Sequence, residues 1–169
     1  MPERRVVTLP EPVLKARAVR CGDADPSLAA DLVDTMRASP GCVGLAAPQI
    51  GVSRRACCVD VSSHPKAGDD HHGLVVLFDP ELLLSEGGEV RREGCMSVPD
   101  FTADVRRALR VVVRGVGADG AERVLEASGF EARALQHELD HLDGRLILDR
   151  VASARTDVFR RKVYQGPKG

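Results

Sequence analysis

The chain has 169 residues, 43% of them hydrophobic and 29% charged, with a formal net charge of -1 at pH 7. That length suits one domain with its own core, so residues 1–169 are read as a single unit. The charge balance excludes a broad nucleic-acid-binding surface, which needs a basic excess, and no apolar run approaches the roughly 20 residues of a membrane span. Aromatics make up only 3%, with no Trp, so aliphatic side chains and alanine must fill the core. The N-terminal stretch MPERRVVTLPEPVLKARAV lacks the continuous apolar segment of a secretion signal. Cysteines at 21, 42, 57, 58 and 95 follow no disulfide framework, and an odd count leaves one unpaired. That usage fits a reducing cytoplasm, where a thiolate can serve as a ligand.

In chain order, Asp25-Pro26 reads as an N-cap followed by proline in the first turn. Leu28, Leu32, Val33 and Met36 then recur at helical spacing, which predicts an amphipathic helix over 26–38, stopped by Ser39-Pro40-Gly41. The run CVGLAAPQIG, 42–51, holds too much Gly, Pro and Ala for a long regular element. Short β segments are predicted at 54–61, 74–78, 81–85, 103–106, 109–116 and 121–127, with Ala118-Asp119-Gly120 as a hairpin turn between the last two. Cys57-Cys58 lies in the first of these, where alternation predicts one thiol inward and one outward. The polar stretch SSHPKAGDDHHG, 62–73, is expected to be a mobile loop, with His64, His71 and His72 assigned no site. Ser128-Gly129-Phe130-Glu131 reads as a capping box and Gly144 as a stop, predicting a helix over 129–143. The tail 153–169 is expected to form a short basic helix carrying Arg155, Arg160, Arg161, Lys162 and Lys168. Many short strands with few separate helices indicate an α+β fold with antiparallel sheets.

The second helix carries QHELDHLDG, Gln136 to Gly144. Residues three and four apart are neighbours on a helix, so His137 and His141 point the same way and can reach one metal ion, with Glu138 beside the open position. A solvated polar face is an equally good account of HExxH alone. Two imidazoles are also too few for a catalytic site, which takes about three protein ligands and a water. Cys95, in REGCMSVPD, is the available third donor; by itself, a free cysteine is more often a small buried hydrophobe.

Three motifs taken together make the chain similar to the peptide deformylase family: VGLAAPQ at 43–49, EGCMS at 93–97 and QHELDH at 136–141, in that order. The resemblance extends from Thr8–Leu14 to HLDGRLILDRV at 141–151. It implies antiparallel sheets packed around a central HExxH-bearing helix, and removal of the formyl group from formyl-methionyl nascent peptides with release of formate. It implies Cys95, His137 and His141 as ligands of one divalent ion. Fe(II) is expected, with Zn(II) or Ni(II) as substitutes, and a thiolate with two imidazoles suits iron or zinc alike. Glu138 is implied as the general base, and Gln49 with the backbone N–H of Met96 as donors to the developing oxyanion. The peptide is implied to add as a strand along the backbone at Gly44 and Leu45, with Phe130 and Ala134 as candidates to line the methionine pocket. A basic C-terminal helix docking on the ribosome is a further implied partner contact.

Two positions depart from the family pattern. Cys42 stands where the motif usually has Gly, and Thr102 where many bacterial members carry an Arg that contacts the peptide. Met96 in place of Leu conserves volume. Three other readings stay open at this point: an HExxH peptidase, a deformylase-like protein that binds peptide or ribosome without catalysis, and a deformylase for a different formylated substrate.

Overall fold

The computed structural model describes residues 3–161. Helix α1, Pro26–Arg37, begins at Asp25, whose carboxylate accepts from the backbone N–H groups of Ser27 and Leu28. Two orphan donors of the first turn are thereby satisfied. The helix buries Leu28, Leu32, Val33 and Met36, the apolar stripe read from the sequence. Helix α2, Gly129–Leu142, ends just before Gly144. Gly144 has φ +74, and a Cβ there would lie 2.6 Å from the Lys15 carbonyl oxygen, so a side chain is excluded by conformation and by contact.

Eight strands follow the chain: β1 Gly44–Ala46, β2 Ala56–Val59, β3 Val75–Glu86, β4 Glu89–Cys95, β5 Val98–Arg107, β6 Arg110–Val116, β7 Glu122–Ser128 and β8 Val158–Arg160. They form a five-stranded sheet in the order β1-β2-β3-β6-β7 and a three-stranded sheet in the order β4-β5-β8. Every pairing within these sheets is antiparallel, in line with the expected α+β fold with antiparallel sheets. Helix α1 packs on β1 and β2, and α2 packs on β1, β2, β6 and β7. Strand β2 is thus covered on both faces: Cys57 enters the core beneath α2, and Cys58 the core beneath α1. Both thiols are buried, which corrects the expected outward one. A third apolar cluster joins Leu14, Cys95, Val98, Val105 and Ile147 between the small sheet and the N-terminal arm.

The segments 74–78 and 81–85 are one strand. A bulge between Phe78 and Glu81, with Asp79 at φ 48, carries the pairing with β6 through the Asp-Pro step. Strands β1, β4 and β8 are additions to the sequence reading. The expected capping box does not form: Ser128 makes no side-chain cap bond, and its hydroxyl donates to Asp70 at 3.1 Å. Of the expected C-terminal helix, 153–161 holds turns and β8, while 162–169 lies outside the described residues. Arg161 is buried against the small sheet, its backbone N–H donating to Asp100. Among the described residues no helix is long and apolar enough to cross a membrane.

Candidate metal centre and substrate cleft

Strand β4 ends at Cys95 where α2 passes behind it, so the thiol meets the two histidines of one helix face. One donor atom each from Cys95, His137 and His141 lies within 4.8 Å of the others. Cys95 Sγ and His141 Nε2 are 3.4 Å apart. Glu138 is only 2% exposed, and its Oε2 and His141 Nδ1 are buried without a hydrogen-bond partner among the described residues. Buried polar atoms left alone are costly, so a cluster of soft sulfur, two imidazoles and an unsatisfied carboxylate fits a site completed by an ion and its substrate.

Electrostatics separate the members. Burial pushes the Glu138 carboxyl up to about 7, partly offset by His137 and Arg107. Burial alone would lower His137, yet its hydrogen bonds to Cys95 and Glu93 carry it well above the usual imidazole value. His141 is held well below that value, first by burial and then by the His137 charge. Glu93 fixes the ring of His137, accepting from Nδ1 at 2.9 Å. Burial opposes ionisation of Glu93, but the hydrogen bonds from His137 and Arg107 keep it well below the ordinary carboxylate range.

Gln49 is 2% exposed and sits beside the cluster. Its Oε1 accepts from the Ala46 N–H at 3.1 Å, and its Nε2 lies 3.2 Å from the Ser97 hydroxyl and 3.7 Å from Cys95 Sγ. The N-terminal arm holds this arrangement in place: the Val7 N–H donates to the Gln49 carbonyl, the Leu9 N–H donates to the Ser97 carbonyl, and the Ser97 hydroxyl donates to the Val7 carbonyl.

Beside the cluster opens a cavity of 220 Å³ whose lining includes Gly44, Gln49, Met96, Phe130, Ala134 and His137. Gly44 sits close to its neighbours: a Cβ would lie 3.1 Å from the Glu138 side chain and 3.3 Å from the Cys58 carbonyl oxygen, so a side chain there would press on both. Leu45 sends its side chain into the core under α1, so only its backbone belongs to the cleft. Strand β1 is the edge of its sheet, where the Ala46 N–H is taken by Gln49 and the Gly44 carbonyl by the Cys42 thiol. Cys42 also lines the cavity; its thiol donates to the Gly44 carbonyl at 3.0 Å, and burial pushes it up to about 12. Thr102 pairs with Gly94 and Phe159 within the small sheet and is not part of this lining.

The structure therefore groups Cys95, His137 and His141 beside Glu138 and Gln49, and places Gly44, Met96, Phe130 and Ala134 around the adjoining cavity, while the Leu45 side chain lies in the core. The sequence reading passed over Glu93, Arg107, Arg133 and Asp140, which form the buried ionic network behind His137, and His64 with Lys66, which close the cavity from the loop 62–73. A charged residue at an inward position of a strand is the signal that could have revealed Glu93.

The polypeptide deformylase family model matches residues 3–157. The chain is 41% identical over 160 residues to the peptide deformylase of Syntrophobacter fumaroxidans, covering 93% of this chain and 91% of that relative. Among solved structures it is similar to the peptide deformylase of Ehrlichia chaffeensis in complex with actinonin, with a TM-score of 0.84, 29% identity and 92% of each chain covered. It is also similar to the Met-Ala-Ser-bound class I type b peptide deformylase of Acinetobacter baumannii, with a TM-score of 0.80, 33% identity and coverage of 88% of this chain and 98% of that one.

Proposed function

The chain belongs to the polypeptide deformylase family, and from that premise we propose how its own residues remove formyl from formyl-methionyl peptides. Cys95, His137 and His141 hold one divalent ion, with Fe(II) as the physiological species and Zn(II) or Ni(II) as substitutes. When bound, such an ion polarises a carbonyl and acidifies water. The peptide adds as a strand at the edge of β1, along the backbone of Gly44 and Leu45. The methionine side chain enters the 220 Å³ cavity, against Phe130 and Ala134.

Glu138 takes the proton of the attacking water as oxygen bonds to the formyl carbon. The Gln49 amide and the Met96 backbone N–H donate to the oxyanion as it forms, each worth about 3 kcal/mol in comparable acyl-transfer sites. Glu138 then gives its proton to the amine as the C–N bond breaks, leaving formate and a free N-terminus. The observation that carries this reading is the convergence of Cys95, His137 and His141 within 4.8 Å beside a buried Glu138 oxygen without a partner among the described residues. Mass spectrometry of the reaction with formyl-Met-Ala-Ser tests it. The expected product is the intact tripeptide lacking only formyl; shorter fragments would instead indicate an HExxH peptidase.

The protein works in the cytoplasm, on chains leaving the ribosome. Docking there through the basic tail would rely on exposed Arg155 and Arg160 together with 162–169, since Arg161 is committed to the small sheet. Removal of 162–169 should then weaken co-sedimentation with ribosomes at low salt; unchanged co-sedimentation would rule it out.

A further inference from the structure

Residues 62–73, between β2 and β3, are fastened to the start of α2. The His72 backbone N–H donates to one oxygen of Glu131 at 2.8 Å, and its Nδ1 meets the other at 2.7 Å. Glu131 is itself 2% exposed, so the anchor is buried at its helix end. Nearer the cleft, His64 stacks on Phe130 with ring centroids 4.3 Å apart. The Lys66 backbone N–H donates to His64 Nδ1 at 3.1 Å, which ties Lys66 to a ring that forms part of the cavity wall.

Lys66 lines the same cavity and has no ion pair among the described residues. The other cations of that lining are engaged: Arg92 with Asp104 at 2.9 Å and Arg133 with Glu93 at 2.6 Å. Lys66 is therefore the cation of this cavity's lining without an ion pair among the described residues.

The path of the substrate decides what meets it. Gln49, on the far side of β1, lies against Cys95, so the formyl group belongs at that end. A neighbouring hollow of 430 Å³, whose own charged lining residues are Arg37 and Asp60, shares Gly41, Cys42, Val43 and His64 with the cavity, so the cleft continues toward the residues that precede β1. In an extended peptide, side chains alternate and residues two apart share a face, about 6.6 Å from each other. With methionine in the cavity, the second residue turns away, and the third returns to the side occupied by His64 and Lys66.

We infer that Lys66 makes the cleft select formylated peptides bearing an acidic side chain at the third residue, an inference that rests on the deformylase reading above. The test compares kcat/KM for C-terminally amidated formyl-Met-Ala-Asp, formyl-Met-Ala-Lys and formyl-Met-Asp-Ala, each relative to formyl-Met-Ala-Ala, in wild type and Lys66→Glu. The dissociation constants of the corresponding unformylated peptides are measured beside them. Wild type should favour Asp over Lys at the third residue by roughly three- to five-fold at low ionic strength, the range for an exposed ion pair, and less at high salt. Lys66→Glu should reverse that order, and Asp at the second residue should bring no comparable gain. Equal rates for the two third-residue peptides in wild type, or a preference that survives Lys66→Glu, overturn the inference. If no peptide releases formate, the deformylase reading fails, and the dissociation constants read in the same way still decide the role of Lys66.

Discussion

Two buried polar clusters share α2, and they differ in how completely they are satisfied. Behind His137, Glu93 accepts two hydrogen bonds from Arg107 at 2.9 and 3.0 Å and one from Arg133 at 2.6 Å. Asp140 accepts from Arg107 and twice from Arg150, at 2.9 and 2.6 Å. Each buried charge there has an opposite charge in hydrogen-bond contact. In front, Cys95, His137, His141 and Glu138 leave two buried polar atoms without partners among the described residues. A satisfied network rigidifies its surroundings, whereas an unsatisfied one stores capacity to bind. His137 belongs to both, with Nδ1 held by Glu93 and its other nitrogen facing the front cluster. The rear cluster sets the geometry that the front cluster uses.

Breaking the front cluster should have the largest effect. Cys95→Ala should lower bound metal from one ion per chain to nearly none. Formate release should fall by at least about 100-fold, the upper range for losing even an outer partner of a ligand. Metal analysis and the formate assay check this, with circular dichroism to confirm that the fold persists. A variant that kept one tight ion would deny Cys95 its assigned place.

Breaking the rear cluster should instead cost stability. Glu93→Ala leaves Arg107 and Arg133 buried without their carboxylate, a loss of about 3–5 kcal/mol for a severed buried pair. Urea unfolding measures it, and a change below about 1 kcal/mol would mean that the rear cluster does not hold the fold.

A surface carboxylate gives the baseline for both. Asp25 caps α1, and the Leu28 N–H, then Arg54, hold its carboxyl below the usual value. Asp25→Ala should cost about 1 kcal/mol near neutral pH. A depressed folded pKa stabilises above the unfolded value of about 3.9 and is lost as pH falls through the folded one. The gap between wild type and variant should therefore narrow below about pH 4; a gap that widened there would contradict the cap.

Local signals on contiguous residues were legible before the structure. Asp25-Pro26 and the stripe to Met36 placed α1 within a residue of its observed end, and Gly144 placed the end of α2. The front cluster was also legible, because its members lie in short motifs with distinctive chemistry. The rear cluster was hidden because its bonds span long separations: Glu93 to Arg107 crosses 14 residues, Arg107 to Asp140 crosses 33, and Arg133 to Glu93 crosses 40. Glu131 misled for a related reason. Its spacing from Ser128 matches a capping box, but tertiary contact with His72 claims the carboxylate. The segments 74–78 and 81–85 were expected separately, and the bulge that joins them through Asp79-Pro80 depends on the partner strand β6. His64 and Lys66 had no motif at all; the stacking of His64 on Phe130 and the bonds of His72 to Glu131 hold their loop against α2.

The central claim is that the front cluster catalyses formyl hydrolysis with Glu138 as its base. The direct measurement is formate release from formyl-Met-Ala-Ser by oxygen-free, Fe(II)-loaded wild type and Glu138→Gln, with metal content measured on the same samples. The account predicts formate from wild type, a fall of roughly 10²–10⁴-fold in the variant, and equal metal in both. Equal formate from the two proteins would contradict the role of Glu138, and no formate from folded, metal-loaded wild type would contradict the activity itself.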